Sequence, residues 1–181
     1  AVRVLREIVG GDLRRHGADA CFAGETWTWD EVRFEFLHPA AASLTGASAL
    51  ENDASCVLAI SGAGGSALLT GDIESGAERA LIARGQVHRV DVVVVPHHGS
   101  RSSSGVEFVA ALAPRWALVS AGYDNRWSFP KAEVVARWQA AGATTLSTAR
   151  SGAISLRFGP AGLAGEPEQY RRTQRRFWHV D

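Results

Sequence analysis

The run Val90-Asp91-Val92-Val93-Val94-Val95 stops abruptly in Pro96-His97-His98-Gly99-Ser100, and few folds accommodate such a segment. Its β-branched residues lack the alternation of a half-solvated strand and predict a strand covered on both faces. The tip of that strand holds two imidazoles on a rigid support, a position suited to a metal or phosphate site. Ala67-Leu68-Leu69-Thr70-Gly71-Asp72 repeats the plan with an apolar strand, a glycine and a carboxylate. Taken singly, Asp72 also suits a helix cap, and the histidines a partly buried pair. Two neighbouring strands that present Asp and His at one edge favour a hydrolytic metal centre.

At 181 residues, with 46% apolar and 21% charged side chains, the chain has the composition of one folded domain. No run approaches the ~20 apolar residues that cross a bilayer. Val2 to Arg15 is too charged and amphipathic for a signal peptide. Nineteen basic residues balance nineteen acidic ones, which neither requires nor excludes nucleic acid, because a local positive groove suffices. Lys131 is the only lysine, an arginine bias attributed to a GC-rich genome. Cys21 and Cys56 lack CxxC spacing. Cys56 lies in an apolar strand and is expected as a buried free thiol. A Cys21–Cys56 disulfide stays open for an oxidising compartment.

Val2, Leu5, Val9 and Leu13 predict a short amphipathic helix over residues 2–15, weakened by Gly10-Gly11. Strands follow at 26–29 and 31–37, then a loop over the site from Ala40 to Glu51. A hairpin pairs 55–61 with 66–70 around Gly62-Ala63-Gly64-Gly65. Helix 74–84, strand 90–95, helix 104–112, strand 115–120, helix 130–141 and strands near 144–148 and 152–158 complete the series. Alternating strands and helices predict an α/β domain over residues 1–158. Residues 159–181 form a Gly/Ala linker and a basic, aromatic tail from Tyr170 to His179. Such a tail either packs on its own domain or engages nucleic acid or anionic lipid.

The strand-tip motifs and their surroundings resemble the C-terminal metallo-β-lactamase-like domain of the ComEC family of competence proteins, the membrane channels for DNA uptake. The resemblance runs from Cys21 onward. It rests on Trp27-Thr28-Trp29-Asp30, Phe34-Glu35-Phe36-Leu37-His38-Pro39 and Glu51-Asn52-Asp53-Ala54-Ser55-Cys56. It continues through Leu69-Thr70-Gly71-Asp72, Pro96-His97-His98-Gly99-Ser100 and Ala121-Gly122-Tyr123-Asp124-Asn125-Arg126-Trp127. It implies an αβ/βα sandwich, two sheets between helical layers, of which this chain carries mostly the C-terminal half. It also implies a metal-dependent nuclease that degrades the strand not transported, with DNA and the channel portion of the same protein as partners. The location implied is the bacterial plasma membrane, with this domain soluble on the extracytoplasmic side.

By the same resemblance Asp72 bridges two divalent ions, Mn or Zn, and Gly71 lets the backbone approach them. His98 before Gly99 is the preferred imidazole ligand, so the catalytic pair is Asp72 and His98. His97 contacts phosphate or orients His98. Ser100, Arg101 and Ser102 offer a phosphate cradle, alternatively plain turn residues. His38 competes with Asn52 for a further ligand position. Asn125 matches a family position near the site, although Phe129 stands where the family usually has His before Pro130. His16, His88 and His179 lack partners at ligand spacing. Ser55 reads as structural.

The superfamily's first metal motif, HxHxDH or HxDxDH, occurs nowhere in the chain, and the resemblance implies that the chain begins downstream of it. The piece is therefore expected to be inactive alone. Two other functions remain open: a degenerate domain that binds DNA or packs against the channel, and a stand-alone metallohydrolase of small esters or nucleotides.

Overall fold

The computed structural model describes residues 8–9, 19–40 and 52–176. Two short strands, β1 (Ile8–Val9) and β2 (Asp19–Ala20), pair in parallel. Of the helix expected over 2–15, residues 8–9 are thus strand, and the others lie outside the described residues, as does the loop 41–51.

The main sheet has seven strands in chain order: β3 (Thr26–Trp29), β4 (Val32–His38), β5 (Val57–Gly62), β6 (Gly65–Leu69), β7 (Val92–Val94), β8 (Trp116–Val119) and β9 (Thr144–Ser147). β3 to β6 form an antiparallel meander, whereas β6 to β9 run parallel. Each parallel step needs a crossover. These are α1 (Ser75–Ala83), α2 (Val106–Leu112) and α3 (Ala132–Ala140). The described residues form one large mixed sheet with helices packed on it, where two sheets were expected.

Register explains the apolar run. Leu68, Val93 and Ala117 are cross-strand partners and share the helix-covered core with Leu81, Phe108 and Trp138. Val92 and Trp116, one residue out of phase, point to the opposite face and are also buried. Strand β7 is shorter than predicted because Asp91 is already occupied, its carboxylate accepting from Ser66 N at 2.7 Å and Ser66 Oγ at 3.1 Å. Pro96, which lacks an N–H, marks the other limit.

The strand expected at 152–158 is broken. Ser147 caps one turn of helix, α4 (Thr148–Ser151), by accepting from Ala149 N. β10 (Ile154–Ser155), β11 (Phe158–Gly159), β12 (Gly162–Leu163), β13 (Glu168–Gln169) and α5 (Tyr170–Thr173) follow. β11 and β12 form a ribbon inside the segment expected as a linker, and β13 returns to pair with β10. Arg171 donates to Ala149 O at 2.6 Å, so the start of the basic tail lies on its own domain.

Cys21 and Cys56 form a disulfide, with Cα atoms 6.0 Å apart. This corrects the free thiol expected for Cys56. Two cysteines 35 residues apart meet only through the β3–β4–β5 meander, which local spacing does not reveal.

Candidate metal site at the strand tips

In open α/β sheets, ligands gather outside the carboxyl ends of the parallel strands. The loops leaving β6, β7 and β8 carry Asp72, His97-His98 and Ser120–Asn125 at that edge.

Gly71 turns the chain in the left-handed region (φ 57°), and a Cβ there would lie 2.8 Å from Ser55 Cβ. Its role is thus to make room for Ser55. The Asp72 N–H donates to Ser55 Oγ at 3.2 Å, and His97 N–H donates to Gly71 O at 3.1 Å, joining the two strand tips. His97 and His98 both have left-handed backbones (φ 48° and 55°). That conformation costs roughly 1–2 kcal/mol per non-glycine residue and is held by the surroundings. Ser103 Oγ donates to Pro96 O at 2.9 Å, and Lys131 N–H donates to Gly99 O at 3.0 Å. Gly99 (φ 82°) sits so close to Pro130 that a Cβ would be 2.6 Å from its Cβ.

His98 Nδ1 lies 2.7 Å from Ser120 O. A carbonyl only accepts, so Nδ1 carries the proton and donates. That bond fixes the tautomer and turns Nε2 toward Asp72 Oδ1, 3.5 Å away. In the neutral ring Nε2 is a lone pair facing a carboxylate oxygen, which repels unless a proton or a cation lies between them. A carbonyl-oriented imidazole opposite a carboxylate is a common pair of metal ligands. Asp72 and His98 therefore fit two positions of a divalent-ion site.

They do not complete one. Among the described residues no three His, Cys, Asp or Glu side chains lie close enough to hold an ion, whereas zinc takes about four ligands. His38 does not join the pair. It is buried, its Nε2–H donates to Asp53 O at 2.6 Å, and Nδ1 is sealed from solvent without a partner. Burial lowers its pKa and favours the neutral ring, against the bond to Asp53 O. Asp53 Oδ1 in turn accepts from Glu74 N at 2.7 Å at the start of α1.

Asn52 Nδ2 donates to Glu74 Oε1 at 3.1 Å, and the same oxygen lies 3.2 Å from His97 Nδ1. Ser102 Oγ is 3.3 Å from that nitrogen and 3.1 Å from Ser100 Oγ. Arg101 is exposed and paired with Glu133. The amide of Asn125 is fully engaged within its own loop. Nδ2 donates to Gly122 O at 3.0 Å and Phe129 O at 2.8 Å, while Oδ1 accepts from Phe129 N at 2.8 Å. Phe129 sets its ring 5.9 Å from His97 and 6.5 Å from His98.

Ser55, Glu74 and the Ser120 carbonyl escaped the sequence reading. Ser55 and Glu74 flank residues already singled out. A backbone carbonyl leaves no trace in side-chain identity.

A mixed sheet with helical crossovers, carrying Asp72 and His98 at adjacent strand tips, makes this a mixed α/β domain. A metal-dependent hydrolase from Parabacteroides distasonis shares the fold, with a TM-score of 0.50, 12% identity, and coverage of 78% of this chain and 63% of that one. No protein-family model matches the chain. Its homologues are ComA/ComEC-family competence proteins. Competence protein ComA of Neisseria gonorrhoeae is 37% identical over 83% of this chain, and Recombination protein 2 of Haemophilus influenzae 33% over 76%. Uncharacterized protein YcaI of Escherichia coli is 34% identical over 78%. The chain spans 21%, 17% and 18% of the lengths of these three relatives, in that order. Among the described residues no helix is long and apolar enough to cross a membrane.

Proposed function

We propose that the chain is part of a metal-dependent nuclease domain in a competence DNA-uptake protein, where it cleaves phosphodiester bonds of the strand that is not transported. The observation that carries this reading is the approach of His98 Nε2 to Asp72 Oδ1 at 3.5 Å, fixed by the bond from Nδ1–H to Ser120 O. A Mn or Zn ion bound there would acidify a water and neutralise charge on phosphate. Asp72 and His98 would hold the ion, and Ser55 fixes the backbone of Asp72. His97, tied to Glu74 and Ser102, stiffens the tip and faces the substrate. Ser100, Ser102 and Arg101 meet phosphate oxygens, Arg101 exchanging Glu133 for the substrate. His38 and Asn52 support the site through Asp53 and Glu74.

The Cys21–Cys56 disulfide supports an extracytoplasmic position, because thiols stay reduced in the bacterial cytosol. The membrane portion of the same longer protein is the proposed partner. The chain contains no HxDxDH string, and with two ligands of about four it should not cleave DNA unaided.

The test is single-turnover cleavage of labelled DNA in Mn²⁺ by the longer protein that carries this chain and an HxDxDH motif. Asp72→Ala and His98→Ala should abolish cleavage, while His97→Ala should lower it by about 10–100-fold. Variants that all cleave like wild type would refute the reading. DNA binding without cleavage in the wild type would instead point to the non-catalytic role.

A further inference from the structure

The loop from Ala121 to Lys131 carries side chains that the metal site does not use. Tyr123 and Trp127 are each 55% exposed, a large ring area left in solvent. Trp127 is nearly parallel to Phe129, with centroids 6.4 Å apart and an interplanar angle of 11°. Phe129 in turn lies 6.5 Å from His98 at 29°. A row of flat rings therefore leads from the Asp72–His98 pair out to solvent.

Each ring has a cation beside it. The Arg126 guanidinium sits 4.1 Å over Trp127, Lys131 Nζ 5.4 Å from Phe129, and Arg171 6.0 Å from Tyr123. Asp124 is the only carboxylate of the segment. The loop is also pre-formed. Asn125 bonds across it three times, and Lys131 Nζ donates to Trp127 O at 2.6 Å. A ligand would meet the loop backbone in place, without the entropy of ordering it, and a base on Trp127 would displace the Arg126 guanidinium from that ring toward the phosphates.

From this placement we infer that residues 121–131 form a base-stacking platform for single-stranded DNA beside the metal site, with Trp127 as principal stacking surface and Arg126 and Lys131 facing the backbone. Exposed rings interleaved with cations suit a single strand, whose bases are free to stack on them. In a duplex the bases are already stacked on one another and the rings would find no face. The inference deepens the nuclease reading and rests on it for the identity of the substrate. A membrane surface could also attract aromatic and basic side chains, but a row of rings continuous with His98 places the ligand at the reacting edge.

Binding of a fluorescent 12-nucleotide oligo-dT to this chain, followed by anisotropy in EDTA at fixed salt, tests the platform without cleavage. An abasic 12-mer, a duplex of the same length and phosphatidylglycerol vesicles serve as the other probes. Wild type should bind oligo-dT more tightly than the abasic strand or the duplex. Trp127→Ala should weaken oligo-dT binding by roughly 5- to 100-fold while leaving abasic binding unchanged, and Trp127→Phe should restore part of the loss. Equal wild-type affinity for oligo-dT and the abasic strand would overturn the inference, as would Trp127→Ala binding like wild type. Trp127-dependent binding to vesicles but not to oligo-dT would assign the loop to a membrane and overturn it as well. Base-dependent binding together with inert Asp72 and His98 would sink the nuclease reading and leave the platform standing. Far-ultraviolet circular dichroism should be the same for all variants, since Trp127 is exposed.

Discussion

Replacing Glu78 tests how the fold holds the loop behind His97 and His98. Glu78 lies on α1 and is 1% exposed, yet it is a carboxylate. It accepts from Ser104 N–H at 2.5 Å and from Gly105 N–H at 2.8 Å, where the chain enters α2. The Arg137 guanidinium donates to the Ser104 carbonyl, and Trp138 Nε1–H to Ser104 Oγ. Two hydrogen bonds to a charged acceptor contribute about 1.5–3 kcal/mol each, and alanine would leave the buried Ser104 N–H and the half-buried Gly105 N–H without this partner. Relief of the buried charge offsets part of this, so Glu78→Ala should lose about 3 kcal/mol. Glutamine keeps one acceptor but turns an NH₂ toward the other donor and should lose about half as much. With a urea slope near 2 kcal/mol/M, the alanine variant's midpoint should fall by about 1.5 M.

The pH dependence gives a second readout. Burial pushes the Glu78 carboxyl above its usual 4.5, opposed by the Gly105 and Ser104 N–H donors and by Arg137. The native state then holds a proton that the unfolded chain has released. Stability therefore declines as pH rises from about 4.5 through the raised value, and Glu78→Gln should remove that decline. Urea unfolding of both proteins between pH 4 and 7.5 isolates the effect. A wild-type advantage over Glu78→Gln that grows with pH would refute the reasoning. So would an alanine variant within 0.5 kcal/mol of wild type, a margin of about the scatter of such measurements.

Removing the disulfide with Cys21→Ala/Cys56→Ala should destabilise the chain by about 4 kcal/mol, from the closure entropy of a loop of 35 residues. Urea unfolding with and without reductant checks this, and reductant should move only the wild type. His38 is held neutral by burial, so the unfolded chain binds its proton first as pH falls below 6.5. Its contribution should be complete above pH 6.5 and lost as pH falls through the lowered folded value. His38→Gln should flatten that acid limb in thermal melts between pH 4 and 7.

Local pattern carries the parallel half of the fold. The valine run of β7 and the periodic apolar positions of α1 to α3 are visible in a short window, and Gly71 and Pro96 mark the ends of β6 and β7. Asp72 and His98 meet because parallel neighbours deliver their tips to the same edge, so strand identity and chain direction already bring them together. What escaped depends on partners distant in sequence. His38 ends a strand as a ligand would, but its nitrogens are fixed by Asp53, 15 residues away, and by burial. Ser55 looked structural until its hydroxyl was seen to receive the Asp72 amide, 17 residues on. The Cys21–Cys56 pairing needs three strands in place. Strand 152–158 is divided because Ile154–Ser155 pairs with Glu168–Gln169 while Phe158–Gly159 turns back on Gly162–Leu163, partners that a local window does not reveal.

The change from antiparallel to parallel pairing at β6 divides the sheet into halves with different freedom to vary. In the meander, β5 and β6 are joined by a tight turn, and their register from Leu58–Leu69 to Gly62–Gly65 depends on its length. One inserted residue there would turn an entire strand inside out. Between parallel strands the helices absorb the connection, and the loops at the strand tips are free of register. Doubling the length of such a loop costs only about 0.6 kcal/mol in closure entropy. Exposed positions along that edge that hold nothing at the strand tips, such as Tyr123 and Trp127, can therefore change while Asp72 and His98 keep their places. Substrate preference among homologous domains can diverge along that edge without any need to rebuild the sheet beneath it.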